Sequence, residues 1–125
     1  MYRVSSNIDK FSHKNNLIDD NSDTCWSSSQ GSPQWIDIKF TESQNLSKFN
    51  LTFQGGFVGK ICKVLLFDDN QSEVYQQSFY PIDVNRLQSF KLNEIVSCSS
   101  VKFLFQNSTD FYGRVTVYNL DLFND

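Results

Sequence analysis

Apolar residues recur at every second position in short runs along this chain. Ile36, Ile38 and Phe40 follow Trp35; Phe49, Leu51 and Phe53 form a second run; Val101, Phe103 and Phe105 a third; Val115 and Val117, then Leu120 and Leu122, a fourth. A period of two puts alternate side chains on one face of an extended backbone, so each run reads as a strand with one side in a core. Between the runs lie clusters of Gly, Pro, Ser, Asn and Asp: 28–33, 41–45, 54–56, 68–71 and 107–113. These residues favour turns because they tolerate unusual φ or bond their own backbone. A rhythm of about ten residues per strand and turn predicts an all-β sandwich or barrel. Helix-favouring Ala is absent, and twelve Phe and five Tyr carry much of the apolar mass, which suits a pleated surface. The one helical turn expected covers residues 12–18, with Ser12 as its cap.

At 125 residues the chain is expected to form one domain over 1–125, long enough to bury about two thirds of its unfolded surface. It shows no internal repeat or linker. The net charge is −3, and no two of the eleven Lys and Arg are adjacent, so no basic run is present to neutralise successive phosphates and nucleic acid is not expected as a partner. The longest aliphatic run, Val64-Leu65-Leu66-Phe67, is too short to span a bilayer, and the first residues lack a signal-peptide core. Cys25, Cys62 and Cys98 are odd in number and widely spaced, as expected of thiols in a reducing compartment. A cytoplasmic or nuclear protein is the expectation. The Asn-x-Ser/Thr triplets at Asn45, Asn50, Asn70 and Asn107 then read as chance matches.

Strands near 34–40, 46–53, 61–67, 72–79, 87–92, 100–106 and 114–123, if successive ones run antiparallel, place their connections alternately at two ends. Loops 27–33, 54–60, 80–86 and 107–113 fall together at one end; the links 41–45, 68–71 and 93–99 fall at the other. The first end carries Phe57 among Gly55, Gly56 and Gly59, and Phe111 with Tyr112 ahead of Gly113.

Two stretches, Leu17-Ile18-Asp19-Asp20-Asn21-Ser22-Asp23-Thr24-Cys25-Trp26 and Gln34-Trp35-Ile36-Asp37-Ile38-Lys39-Phe40, resemble the discoidin, or coagulation factor type C, family. That resemblance implies an eight-stranded antiparallel jelly-roll β-sandwich of the galactose-binding-like type. Arg3-Val4-Ser5-Ser6, Phe53-Gln54-Gly55-Gly56-Phe57, Phe79-Tyr80-Pro81 and Thr109-Asp110-Phe111-Tyr112-Gly113-Arg114-Val115 look in turn like a family of small intracellular proteins associated with the testicular orphan nuclear receptor. The implied function is a non-catalytic module for protein–protein interaction, acting in transcriptional regulation. Extracellular discoidin domains close with a terminal disulfide; this chain has no cysteine near either end, which points to the intracellular branch.

The same resemblance implies a structural calcium site. Its ligands are the side chain of Asp19, the carbonyls of Asn16 and Asn21 and the hydroxyl of Thr24, while the last-strand position is Asn119 where the family has Glu. Asp19-x-Asn21-x-Asp23 has the spacing of half an EF-hand loop, but Thr24 stands where Gly is needed and Gln30 where Glu is needed. The alternative is an Asx-rich turn that satisfies its own backbone, and it carries more weight. Trp26 and Trp35 read as core or rim residues ahead of sugar-stacking platforms. Phe57 is either an anchor for a partner or a plug under its loop. Asp110, Phe111, Tyr112 and Arg114 have the composition of an interface hot spot; the alternative is an internal Asp110–Arg114 pair. A protein partner on these loops is the leading expectation. A galactose-type glycan, held through Arg114, Asn107 and Tyr112, is the alternative. The single histidine, His13, leaves nucleophilic catalysis without its usual base, and no enzyme is expected.

Overall fold

The computed structural model describes residues 2–9, 14–17 and 24–124. Its elements in chain order are β1 (Tyr2–Val4), a 3-10 turn (Lys14–Leu17), β2 (Trp26–Ser27), β3 (Gln34–Phe53), β4 (Cys62–Phe67), β5 (Glu73–Phe79), β6 (Leu87–Phe105) and β7 (Thr116–Phe123). All strand pairs among them are antiparallel. The 3-10 turn falls inside the segment expected to be helical, whereas Ser12 and His13 lie outside the described residues.

The two long strands build both layers of a jelly-roll sandwich. Residues 34–39 of β3 pair with 100–105 of β6, whereas 48–52 pair with 87–91. The first set belongs to a sheet ordered β1, β3, β6, β4, β5; the second to a sheet ordered β6, β3, β7, β2. Register shifts between Lys39 and Gln44, and between Leu46 and Lys48, mark the corners where the chain passes from one sheet to the other. The segments 41–45 and 93–99, read from composition as links between separate strands, are these corners. They stay extended because they lie side by side: Gln44, Asn45 and Leu46 pair with Cys98, Ser97 and Val96, so each corner satisfies the other's backbone groups. β1 and β2, with three and two residues, are too short to show a periodicity.

Alternation decides which side chains enter the core. In β4 every second residue is buried, giving Cys62, Val64 and Leu66, and β3 does the same with Ile36 and Ile38, then Phe49, Leu51 and Phe53. Phe49 stands at the centre. Its ring meets Phe103 and Phe79 edge-on at 4.9 and 5.0 Å between centroids and stacks on Phe90 at 5.3 Å. Each such buried ring contributes about 2–3 kcal/mol through the area it removes from water, and the tilted pairs add a little more. Trp26 is wholly buried, 6.5 Å from Phe105, with its indole N–H donating to the Ser6 carbonyl at 2.9 Å. Trp35 departs from expectation. It alternates with the core positions Gln34 and Ile36, so it lies half-buried on the outer face of its sheet, with Lys102 Nζ 4.7 Å from its centroid.

All three cysteines are free thiols. Burial pushes the Cys62 thiol up to about 12 and raises that of Cys98 as well, so both stay protonated and unreactive in the core.

Candidate binding site at the loop end

Four loops meet at one end of the sandwich, as the parity of the strands requires. Gly31 N donates to the Tyr112 carbonyl at 2.7 Å, while Ser28 N donates to the Val115 carbonyl and Val115 N to Ser28 Oγ, both at 2.9 Å, which joins loop 27–33 to loop 107–113. Loop 54–60 is zipped to the same segment: Lys60 N to the Asn107 carbonyl, Thr109 N to the Val58 carbonyl and Val58 N to Thr109 Oγ1. Loop 80–86 closes from the other side. Asn85 Oδ1 accepts from Gly55 N, and Asp83 Oδ1 accepts from Gly56 N at 2.7 Å. Buried Gln34 ties the first loop down, its amide donating to the carbonyls of Ser29 and Gly31 while its oxygen accepts from Ser5 and Ser6.

Within loop 107–113 the turn is fixed from inside. Gly113 N donates to the Asp110 carbonyl, Ser108 Oγ to the Arg114 carbonyl and Asp110 N back to Ser108 Oγ. Gly113 has φ +83°, and a Cβ on it would stand 2.7 Å from the Gly31 carbonyl oxygen; no other residue fits. Arg114 grips Asp110 with both Nε, at 2.8 Å, and Nη2, at 3.2 Å. That side-chain hydrogen bond holds the Asp110 carboxyl below the usual carboxylate range and raises Arg114. The guanidinium also lies over Phe57 at 5.1 Å and Tyr112 at 5.7 Å.

The expected site residues therefore divide in two. Asp110, Arg114 and Asn107 hold the loops together, Asn107 Oδ1 accepting from Ile61 N at 3.0 Å. Phe57 is half-buried beneath Arg114, with its backbone bonded to Gln54 and Thr116. Phe111 and Tyr112 point outward, 93% and 55% exposed, their rings edge-to-face at 5.3 Å. Sequence reasoning missed two neighbours in loop 80–86, Tyr80 at 66% and Ile82 at 63% exposed. The Gln88 amide brackets Ile82, accepting from its N–H and donating to its carbonyl at 2.8 Å each. Apolar side chains in a loop already placed at this end were the available signal.

The Asx-rich segment gives less. Asp19 and Asn21 lie outside the described residues. Asn16 sits in the 3-10 turn with its amide donating to the Cys25 carbonyl at 2.7 Å, and Asn119 is on β7, paired with Thr52. Asn16, Thr24 and Asn119 are neutral, so within the expected ligand set Asp19 alone carries the negative charge that favours calcium. No group of three or more His, Cys, Asp or Glu suited to a metal occurs among the described residues.

Residues 16–103 match the model of the "NedA-like, galactose-binding domain" within the F5/F8 type C group. The chain belongs to that family. Domains of this kind recur among its structural neighbours. The family 32 carbohydrate-binding module of C. perfringens NanJ in complex with galactose superposes with a TM-score of 0.80 at 14% identity, over 98% of this chain and 91% of that one. The lectin domain of lectinolysin complexed with Lewis B antigen gives 0.82 at 14% identity, over 100% and 92%. At such identities the likeness concerns the fold. In sequence this galactose-binding-like domain is 40% identical over 109 residues to the Nuclear receptor 2C2-associated protein of Danio rerio, covering 87% of this chain and 77% of that protein. The Homo sapiens protein of the same name is 34% identical over 121 residues, covering 94% and 86%.

Proposed function

We propose that this domain is a non-catalytic protein-interaction module that works inside the cell, and that its partner docks on the loop end. One observation carries the reading: Phe111 is almost fully exposed on a loop that hydrogen bonds hold in one shape. A large apolar ring held rigid in water loses little entropy when a partner covers it, the usual economy of a hot spot. Tyr112, Tyr80 and Ile82 extend the apolar surface of the same end. The relatives named for association with nuclear receptor 2C2 support a nuclear receptor as the class of partner, and through it a role in transcriptional regulation. Pull-down with a receptor of that class tests it. Wild type should capture the receptor and the Phe111→Ser, Tyr112→Ser variant should lose it while melting at an unchanged temperature; capture undiminished in the variant would refute the loop-end assignment.

A glycan is the second reading, supported by the shallow cleft of about 150 Å3 between Ile8, Gln54, Phe57 and Arg114 and by the sugar-bound neighbours. Against it, Arg114 and Asn107 already spend hydrogen-bonding capacity on Asp110 and Ile61. A glycan array that includes galactose decides between the two. A melting temperature lowered by chelator would assign calcium to the Asx-rich segment.

A further inference from the structure

The outer face of the first sheet gathers cations that the sequence scatters. Inward positions of this sheet, such as Ile36, Ile38, Val64, Leu66, Val101 and Phe103, are buried; the residues alternating with them face out. Strand register then places Arg3, Asp37, Lys102 and Leu65 in one row, with Trp35, Leu104 and Lys63 in the row on one side of it and Lys39 in the row on the other. Strands lie about 4.8 Å apart, so Arg3 and Lys102 flank Asp37 across about 10 Å. The chain has fourteen acids and eleven bases, yet on these strands Arg3, Lys39, Lys63 and Lys102 face out against Asp37 and, at the edge, Glu73. Among the cations, Trp35, Leu104 and Leu65 are only half-buried. Lys102 and Arg3 lie 4.7 and 5.9 Å from the Trp35 centroid, which holds both cations at the edge of an apolar strip.

We propose that this face is a second docking surface, separate from the loop end, for an acidic protein segment interspersed with large apolar residues. Charge complementarity selects the acid, since a basic patch on a net-negative protein directs acidic groups towards it. The half-buried Trp35, Leu104 and Leu65 select apolar side chains between the acids. A long polyanion fits less well: Asp37 stands in the middle of the patch, and the net charge of −3 repels a uniformly charged chain.

Tryptophan emission reads the binding, because Trp26 is sealed in the core and Trp35 is partly exposed. A short synthetic peptide alternating Glu with Leu and Phe should shift that emission saturably, and raised salt should weaken it. The Lys63→Glu, Lys102→Glu double variant should bind about tenfold more weakly or worse. Lys63→Glu alone, which leaves the Trp35 contacts in place, should give part of that loss, and Phe111→Ser should leave the affinity unchanged. Absence of saturable binding overturns the proposal, as does binding indifferent to both charge reversals. Tighter binding of an oligouridylate than of the peptide would make the face a nucleic-acid site, and a wild-type dimer abolished by Lys63→Glu would make it a contact with a second copy; either result also overturns it.

Discussion

The two ends of the sandwich are both tightly hydrogen-bonded, yet they present opposite surfaces. At the loop end backbone bonds join three separate loops, the Asp83 and Asn85 side chains tie in the fourth, and Tyr80, Phe111 and Tyr112 project into solvent. At the corner end, β3 and β6 turn without breaking their pairing, and Asp69 accepts from Ser43 and Ser99, which also bond each other. No aromatic residue among the described ones is exposed there; Ile95 and Val74 are the large apolar side chains that are. Scattered aliphatics are ordinary on a surface, whereas aromatics gathered on rigid loops are not. Dense hydrogen bonding is common to both ends, and exposed aromatic area is what separates the proposed docking surface from the corner end.

The difference can be broken by substitution. Gly113→Ala should have the largest effect, about 2–4 kcal/mol by urea denaturation, because positive φ and the clash with the Gly31 carbonyl act together. Gly56→Ala is its control: φ is +89° but no atom lies within 4 Å of the added Cβ, so about 1 kcal/mol is expected. Phe57→Ser should cost about 1–2 kcal/mol through lost burial under Arg114, while Phe111→Ser stays within about 0.5 kcal/mol. If the two Phe variants proved equally costly, the division between a packed and a presented ring would fail. Asp69→Ala should cost about 1 kcal/mol and leave receptor pull-down intact. The smallest effect concerns acid. Arg114 holds the folded-state pKa of Asp110 down, so the pair's contribution is complete above the ordinary carboxylate pKa of about 4 and fades as pH falls through the lower folded value. Asp110→Asn should flatten that acid limb of the stability curve and leave its neutral part parallel.

Residue types and their period decided a good deal in advance. Alternation marked the interior residues Ile36, Phe49, Phe53 and Phe103, and strand parity placed loops 27–33, 54–60, 80–86 and 107–113 together, since both follow from the two-residue repeat of an extended chain. Tertiary structure decided what no local rule contains. That 41–45 and 93–99 are corners depends on each finding the other as a hydrogen-bonding partner. The roles of Asp110 and Arg114, a clasp within the loop, and of Phe111, a ring in water, depend on which way side chains of similar composition point. So does the basic outer face, whose cations are dozens of residues apart in the chain and a few strand spacings apart in the sheet. Periodicity fixes which side of a strand a residue takes, and only the pairing of distant strands fixes its neighbours there.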